Sequence, residues 1–441
     1  MVPPFKKARE PRAVIGKLNI FQRTMHLWNG MHPYNAVHVV RIDRPLDESR
    51  LRQVIHDELM RLGLTGLVLD KRKGTFEYQG GPPQINLKLI QGGATPREIL
   101  RDEVQFQINT SFVDDGAVNP FRFFLIREEK GFYFGLVYFH VVAGAESIIL
   151  LLKHLVETYL GQVTLGFSIP LDLYPGGYGR LTPHYFSLLL RSILHFPLLL
   201  AELRKSSRPR HRDDRNQRND VVLFSLTPDQ LRKLQERGKR WEVTLNDLFL
   251  ALLLKALNPL ASRRLRGKRR GQISVGSIVN IRKDLGIDSL RTFGLFLGSF
   301  LVSLGVREGS SVEDLTKEVR QRTLRVKRER LYLGTPFELW MGRFAMSLLA
   351  SDRRHTFYVK NYPLWGGISN VNLDLLWETK GGRGRIDYLR AVSTGPITPL
   401  VLSVTTVGDL VNVGLTFRQT VFSPGEIDQF VSEFRDAIVQ L

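Results

Sequence analysis

One histidine in this chain occupies a position suited to proton transfer. The run from Phe132 to Val142 is almost wholly apolar and aromatic and contains no proline, which predicts a buried strand. His140 lies near the end of that run, and the small residues Ala143, Gly144 and Ala145 follow it. An imidazole at a strand end, beside a turn of small residues, can reach a cleft and transfer protons near neutral pH. His140 is therefore a candidate general base.

The competing interpretation of His140 is structural: a core histidine that closes a strand. The cysteine content and the spacing of the other histidines exclude several kinds of site. The sequence contains no cysteine, which excludes disulfides, thiolate metal sites and a cysteine nucleophile. His26, His32, His38 and His56 have no mutual spacing that would build a metal site. We expect core or surface roles for these four histidines and no metal centre.

The elements around His140 follow from periodicity. Glu146 and Ser147 open a segment with apolar residues at helical spacing up to position 160, which predicts a long amphipathic helix. Before the histidine, residues 121–126 predict a strand that forms a hairpin with the run that carries it. The sequence thus predicts that a hairpin strand and the helix after it hold His140.

Further elements are predicted on both sides of this unit from alternation, apolar spacing and capping residues. In the first half these are strands over 34–42, 75–78 and 85–90 and helices over 46–62 and 96–106, with 18–30 as a segment leading into the first strand. In the second half they are strands over 221–226, 273–282, 400–407 and 410–418 and helices over 228–237, 243–257 and 423–439.

The residues around His140 resemble the signature of the CoA-dependent acyltransferase superfamily, which is chloramphenicol acetyltransferase-like. That signature is His-x-x-x-Asp-Gly, often with a second histidine in front and a serine behind. Condensation domains of peptide synthetases, polyketide-associated acyltransferases and wax ester synthases carry it. Here the base falls on His140 and the trailing serine on Ser147. Phe139 stands in place of the first histidine, Gly144 in place of the Asp and Ala145 in place of the Gly.

Other segments resemble the same superfamily, and the order of all of them extends the resemblance over nearly the whole chain. Thr244-Leu-Asn-Asp247 is similar to a buried helix start of the wax ester synthases. Asn280-Ile-Arg282 is similar to a strand end whose arginine, in relatives, pairs with the Asp of the histidine motif. Ser369-Asn370 is similar to a later Ser-Asn strand.

The resemblance implies an α/β fold with two chloramphenicol acetyltransferase-like lobes. Each lobe is expected to be a mixed β-sheet with helices, and together they form a V with a central channel that leads to His140. We place the N-terminal lobe at 1–165, a crossover segment at 166–220 and the C-terminal lobe at 221–441. A chain of 441 residues with 43% hydrophobic content is long enough for two such lobes.

The resemblance also implies an activity: transfer of an acyl group from a thioester to an alcohol or an amine. Such a reaction needs a base, donors that hold the oxyanion and a channel that aligns both substrates. His140 is the expected base, and Ser369 or Asn370 is expected to supply an oxyanion donor or to shape the pocket. No metal or permanent cofactor is needed. The donor is acyl-CoA or a phosphopantetheine-linked acyl group on a carrier protein, and the acceptor is a hydrophobic alcohol or amine.

The missing aspartate leaves Arg282 without its expected partner, and a buried unpaired charge is costly. Two resolutions are open. Glu146 takes over the pairing with Arg282, or the site is rebuilt and the protein is a catalytically silent binding or scaffold module in a lipid or polyketide pathway. Gly144 and Ala145 would also widen the space beside His140 and admit a bulkier acyl chain.

The net charge of +20 raises nucleic acid as a partner, but no helix-turn-helix, zinc-finger or RNP-type pattern accompanies it. The charge lies in blocks at 204–218, 263–270 and 317–330. Most of these residues are expected to be solvated, and the blocks can also meet CoA phosphates, an acidic carrier protein or anionic lipid headgroups. We expect no specific nucleic-acid partner.

The segment 185–203 is strongly apolar but contains Arg191, His195 and Pro197, so we do not interpret it as transmembrane. It is either a helix in the membrane interface or a helix packed as the crossover between the two lobes. Residues 1–17 are basic without a following apolar core, so no secretory signal is expected. These observations favour a cytoplasmic protein that is peripheral on the membrane.

Overall fold

A computed structural model describes residues 14–93, 95–112, 116–162, 166–174, 185–263, 270–307, 309–350, 353–377 and 386–441. The predicted turn at 175–180 and most of the basic block at 263–270 lie outside the described residues.

The helices, numbered in chain order, are α1 (Ile20–Asn29), α2 (Glu48–Leu62), α3 (Pro96–Asn109), α4 (Ala145–Tyr159), α5 (Tyr185–Lys205), α6 (Pro228–Arg240), α7 (Leu245–Ser262), α8 (Val312–Glu329), α9 (Thr335–Ser347), α10 (Arg354–Asn361) and α11 (Pro424–Val439). The strands are β1 (Val14–Lys17), β2 (Asn35–Ile42), β3 (Leu67–Asp70), β4 (Thr75–Tyr78), β5 (Leu87–Gln91), β6 (Phe121–Arg127), β7 (Phe132–Phe139), β8 (Asp172–Leu173), β9 (Asn219–Leu226), β10 (Ile273–Asn280), β11 (Thr292–Phe293), β12 (Leu297–Leu304), β13 (Leu364–Asn372), β14 (Asp387–Val392), β15 (Leu400–Val407) and β16 (Leu410–Arg418).

The first lobe is built on a five-stranded sheet in the order β14-β2-β7-β6-β5. Its central strand, β7, pairs antiparallel with β2 and β6, and every residue of β7 is buried. Complete burial explains why this strand is apolar throughout and does not alternate. The strand ends at Phe139 and not at Val142 as predicted, because residues 140–142 form a turn. His140 is thus the first residue after the central strand.

The second lobe is built on a six-stranded mixed sheet in the order β12-β10-β13-β15-β16-β9. Helices α7 and α11 pack against each other, and their buried residues form one hydrophobic core with those of this sheet. The first lobe has a separate core of its own. The mixed α/β architecture with two lobes, expected from the sequence, is confirmed.

Strand β14 belongs to the second half of the chain but completes the sheet of the first lobe. It pairs antiparallel with β2, with Arg390 opposite His38. All of 221–441 was expected in the C-terminal lobe, and no strand was expected at β14. The lobes therefore share a sheet, and a residue from position 390 lies in the same sheet as the strand that leads to His140.

The structure places a helix or strand at each segment predicted above, and it adds elements that the sequence analysis missed. The segment 18–30 contains helix α1, whose N-terminus is closed by a capping box between Asn19 and Gln22. The basic block at 317–330 lies almost entirely on α8, whose cap is Ser311. In both cases the capping residue was the available signal.

Helix α7 is the core helix of the second lobe. Within the described residues it alone is long and apolar enough to cross a membrane, and 67% of it is buried inside the protein. Its first turn carries a buried carboxylate: Asp247 accepts hydrogen bonds from the Thr244 backbone N–H at 2.9 Å and the Thr323 hydroxyl at 2.7 Å. Arg320 lies 3.4 Å from the same carboxylate. Asp247 therefore joins the start of α7 to α8.

We predict that Asp247→Ala lowers the free energy of unfolding by about 2–3 kcal/mol, because it removes the acceptor for the buried Thr323 hydroxyl and the Thr244 N–H and the partner of Arg320. The measurement is urea denaturation followed by circular dichroism. The neighbouring substitution Asn246→Ala is the matched control and should cost less than about 0.5 kcal/mol. Equal losses in the two variants would contradict the role assigned to Asp247.

Candidate active site

His140 is held by the turn that follows β7. Its backbone N–H donates to the carbonyl of Tyr34 at 3.1 Å, which extends the pairing with β2 by one residue. The turn closes through a hydrogen bond from the Val142 N–H to the carbonyl of Phe139 at 2.9 Å. The side chain of Gln22, buried on α1, donates to the Val141 carbonyl at 3.1 Å. The backbone that carries the imidazole is thus fixed on both sides.

The orientation of the imidazole is fixed as well. Nδ1 of His140 lies 3.0 Å from the carbonyl oxygen of Ala143. Because a carbonyl can only accept, Nδ1 carries the proton and donates it to this bond. The neutral ring therefore keeps its lone pair on Nε2. Tyr34 stacks on the ring with centroids 5.4 Å apart, and Tyr138 meets it edge-on at 5.5 Å.

Burial, with a smaller contribution from the nearby guanidinium of Arg390, lowers the pKa of His140 to about 4. Burial disfavours the imidazolium because the charged form loses its hydration. The side chain is neutral at pH 7, which is the protonation state that a general base requires. No residue that the structure describes forms a hydrogen bond with Nε2 of His140, so the lone pair of this neutral ring is available at the cavity described next.

His140 lines a cavity of about 220 Å³ between the two lobes. Most of the side chains that line it are apolar or aromatic. The first lobe contributes residues of α1 and β2, and the second lobe contributes residues of β10, β12, β13 and α9. Helix α5 covers one side with four apolar side chains: Phe196, Leu199, Leu200 and Leu203. The segment 185–203 was interpreted either as a helix in the membrane interface or as a packed crossover helix. The inner face of α5 agrees with the packed crossover helix.

A buried arginine from β14 lines the same cavity. Arg390 donates from Nε to the Thr405 hydroxyl at 2.8 Å and from one terminal nitrogen to the carbonyls of Ser369 and Val404 at 2.9 and 2.7 Å. Its other terminal nitrogen lies 3.3 Å from the Ser369 hydroxyl. All these partners are neutral, and burial lowers the pKa of Arg390 to about 10. Arg390 therefore brings a positive charge to the wall of the cavity near His140.

Behind the turn, a second buried arginine joins the lobes. Arg282 donates to the Ser147 hydroxyl at 2.5 Å and to the carbonyls of Thr292 and Gly294 at 3.3 and 3.4 Å. Its guanidinium also lies 4.7 Å from the ring centre of Phe296. The hydrogen bond to Ser147 is the shortest of these contacts, and all the hydrogen-bond acceptors of Arg282 named here are neutral groups.

The structure places Glu146 beside this arginine but not in contact with it. Its two carboxylate oxygens accept hydrogen bonds from the side chains of Asn280 and Ser289. No ion pair within 4 Å joins Glu146 to Arg282, although the charge of Glu146 opposes the lowering of the pKa of Arg282 that burial causes. The direct replacement of the missing aspartate by Glu146, one of the two resolutions above, does not occur in this structure.

Gly144 also contacts the second lobe, through a hydrogen bond from its N–H to the Gly294 carbonyl at 3.1 Å. Its φ of −86° suits any residue, and a Cβ there would meet nothing closer than 3.8 Å. The glycine is therefore not required by the backbone. Of the two small residues expected to widen the space beside His140, Ala145 lines the cavity and Gly144 does not.

The predicted oxyanion residues are separated by the alternation of β13. Ser369 lines the cavity and contacts Arg390, whereas the next residue, Asn370, does not line it. Adjacent residues of a strand point to opposite faces, which accounts for the difference. The structure thus brings His140, Ala145 and Ser369 together at the cavity.

Among the polar residues of the cavity that sequence reasoning missed are His38, Glu338 and Arg390. His38 was assigned only a core or surface role; it lies within 2.7 Å of the Tyr388 hydroxyl and 3.5 Å of the Tyr138 hydroxyl. Arg390 is a charged residue within the apolar run 388–392, and this pattern could have indicated a buried charge at a functional site. Glu338 had no such signal, since α9 was not predicted.

Solved structures share this fold over nearly the full length of the chain. The first condensation domain of the calcium-dependent antibiotic synthetase, in complex with a substrate analogue, superposes with a TM-score of 0.72 at 13% identity, covering 97% of this chain and 96% of that one. The epimerization domain from the third module of tyrocidine synthetase B gives 0.66 at 14% identity, covering 99% and 98%. The condensation domain of the monacolin K polyketide synthase gives 0.65 at 12%, covering 98% and 98%.

The protein therefore has the condensation-domain fold. No family model matches the chain. A curated relative, a plipastatin synthase polypeptide of Bacillus subtilis strain 168, is 25% identical over 236 residues, or 51% of this chain. The chain spans only 8% of the length of that relative. Because neighbours named for condensation and for epimerization share the fold, the fold alone does not select one activity.

We predict that Gly144→Asp stabilises the protein, because a carboxylate at this position would lie beside the Gly294 carbonyl that Arg282 contacts and would pair with a buried guanidinium held by neutral groups. The expected rise in Tm is about 2 °C. Gly144→Ala is the matched control, since it adds the Cβ without the charge. A Tm for Gly144→Asp below that of Gly144→Ala, measured by differential scanning calorimetry, would contradict the account of Arg282.

Proposed function

We propose that the protein is an acyltransferase that moves an acyl group from a thioester to a hydrophobic amine or alcohol, with His140 as the general base. The observation that carries this proposal is the neutral imidazole of His140, oriented by the Ala143 carbonyl with its Nε2 lone pair at a cavity between two lobes. The condensation-domain fold supports it, since acyl or peptidyl transfer, or a scaffold role, is what that fold suggests.

The reaction follows from the site. Nε2 of His140 takes the proton of the acceptor's hydroxyl or amine as the acceptor attacks the thioester carbonyl carbon. Negative charge develops on the carbonyl oxygen, and the guanidinium of Arg390, with its charge uncompensated by its described partners, favours that charge. When the tetrahedral intermediate collapses, the carbon–sulfur bond breaks and His140 returns its proton to the sulfur. The products are an ester or amide and a free thiol.

The donor in this proposal is acyl-CoA or an acyl group on the phosphopantetheine arm of a carrier protein. Both carry the thioester on the same flexible arm, and both present phosphate groups at its base. The net charge of +20 and the basic helix α8 support either an acidic carrier protein or the CoA phosphates as the partner. The apolar wall of the cavity supports a hydrophobic acceptor.

The outer faces of α5 and α9 support a membrane as the source of that acceptor. Six exposed apolar side chains of these two helices are called here the outer patch: Leu190, Ile193, Leu194, Leu198, Trp340 and Phe344. A groove beside it contains Arg191, Arg325 and Arg328 together with Leu194, Leu198 and Glu329, whose carboxylate pairs with Arg325. Apolar side chains flanked by arginines suit a surface of anionic lipid. We place the protein in the cytoplasm, peripheral on such a membrane.

A second candidate is a catalytically silent module that binds a ligand in the cavity. Gly144 and Ala145, in place of the Asp and Gly of the superfamily motif, support it, and so do the neutral partners of Arg282. The two candidates differ in one respect: only the enzyme needs the lone pair of His140.

We predict that thioester consumption by the protein depends on an added amine or alcohol and that His140→Ala lowers this turnover roughly 100- to 10,000-fold, the usual contribution of a general base. The measurement is thiol release from acyl-CoA and from an acyl-pantetheine thioester, with and without each acceptor. His56→Gln, a change of a histidine outside the cavity, is the control and should keep the wild-type rate. Turnover that survives in folded His140→Ala, or no turnover in the wild type with ligand still bound, would contradict the proposal.

We predict that the protein co-floats with vesicles that contain phosphatidylserine and binds less to vesicles of phosphatidylcholine alone or at high salt. Trp340→Ser should weaken the binding, because it removes an exposed aromatic ring of the outer patch. Phe106→Ser, which removes an exposed aromatic ring on α3, is the matched control. No flotation of the wild type, or equal losses in both variants, would remove the membrane from the proposal.

A further inference from the structure

The cavity contains a carboxyl group whose role the reaction above leaves unassigned. Glu338 lies on α9, one turn after Thr335, and lines the same cavity as His140. The apolar side chains of Leu339 on α9 and of Phe196 and Leu199 on α5 line the cavity with it. It is the single acidic residue among the described residues that line the cavity.

Glu338 has no compensating partner in the part of the chain that the structure describes. It forms no hydrogen bond and no ion pair there, and burial alone raises its pKa to about 7. The negative charge of Glu338 helps to raise the pKa of Tyr362, which also lines the cavity, so the carboxyl lies close to this tyrosine. A carboxyl kept without a partner in an apolar cavity is costly unless a ligand compensates it.

Helix α5 packs closely against the start of α9, beside the carboxyl of Glu338. A Cβ at Gly334 would meet the Ser192 side chain at 2.7 Å and lie 3.8 Å from Oε1 of Glu338. Glycine at this position thus permits the close approach of α5 to the start of α9, beside the carboxyl. The hydroxyl of Tyr362 lies near Gly342 on the next turn of α9. Glu338 is thus partly buried between these contacts of α5 and α9, and it lines the cavity.

We propose that Glu338 is the acceptor-recognition residue of the cavity and that the acceptor it selects is a primary amine. The inference rests on the proposed function, which left the choice between amine and alcohol open. An alkylamine in water is an ammonium ion, and its transfer into an apolar cavity requires an anionic partner. The carboxylate of Glu338 supplies that partner, whereas an alcohol needs none. Arg390, the cation on the cavity wall, has the wrong sign for this role.

The proton balance of the reaction is then complete. In an apolar cavity a neutral acid–amine pair is favoured over the ion pair, so one ammonium proton moves to the Glu338 carboxylate and frees the nitrogen lone pair. The nitrogen attacks the thioester carbonyl carbon, His140 takes the second N–H proton, and this proton passes to the departing sulfur. The product is an amide and a thiol, and Glu338 releases its proton to solvent.

The test compares hexylamine with hexan-1-ol as acceptors for the same acyl-pantetheine thioester, in the wild type, in Glu338→Gln and in Glu236→Gln. Glu236 is an exposed residue of α6, and its substitution changes the net charge equally, so the amine-to-alcohol ratio of kcat/KM should stay at the wild-type value. In Glu338→Gln that ratio should fall roughly tenfold or more, because the amide can neither pair with the incoming ammonium ion nor accept its proton. An unchanged ratio, including an equal loss with both acceptors, would overturn the proposal.

A binding measurement separates failure of this inference from failure of the proposed function. Without thioester, hexylamine should raise the Tm of the wild type and of Glu236→Gln but not that of Glu338→Gln. If no acceptor supports turnover and this pattern still appears, the acyl transfer is wrong and amine recognition by Glu338 stands. If hexylamine raises the Tm of Glu338→Gln as much as that of the wild type, the recognition is wrong whatever the turnover.

Discussion

The hydrogen bond from Nδ1 of His140 to the Ala143 carbonyl is the contact on which the proposed chemistry depends. It fixes the tautomer, and the tautomer decides whether Nε2 can accept a proton. The bond exists only because the chain turns back after Phe139. The side chain of Gln22 on α1 donates a hydrogen bond to this turn, and the N–H of Gly144, just after it, donates to a carbonyl of the second lobe. A buried strand, a four-residue turn and a helix start thus act together to present one lone pair.

The two lobes contribute opposite charges to one apolar cavity. Arg390 comes from a strand that the second half of the chain adds to the first sheet, and Glu338 comes from a helix of the second lobe. In an apolar cavity each charge acts over a longer range than it would in water. The cation suits the developing oxyanion near His140, and the carboxyl suits an incoming ammonium. Behind the turn, Arg282 joins the two lobes through hydrogen bonds to Ser147 and to neutral carbonyls.

Much of the fold was predictable because apolar periodicity and capping residues act locally. The strand and helix around His140 and the capped start of α7 at Thr244 follow from such signals. The exchange of β14 between lobes was not predictable, since pairing over hundreds of residues leaves no local pattern. The partner of Arg282 was equally hidden: the sequence offered Glu146, and the neighbouring Ser147 makes the contact. Glu338 became visible only when the fold placed α9 against the cavity.

The most direct test of the account is the tautomer and titration of His140, measured by ¹⁵N nuclear magnetic resonance of histidine-labelled protein and assigned with His140→Ala. The account predicts a neutral ring at pH 7 with the proton on Nδ1 and none on Nε2. Because burial lowers its pKa to about 4, the ring should stay neutral as the pH falls and take up a proton only near that value. A proton on Nε2 at pH 7, or titration near the ordinary histidine value, would contradict the assignment of His140 as the oriented base.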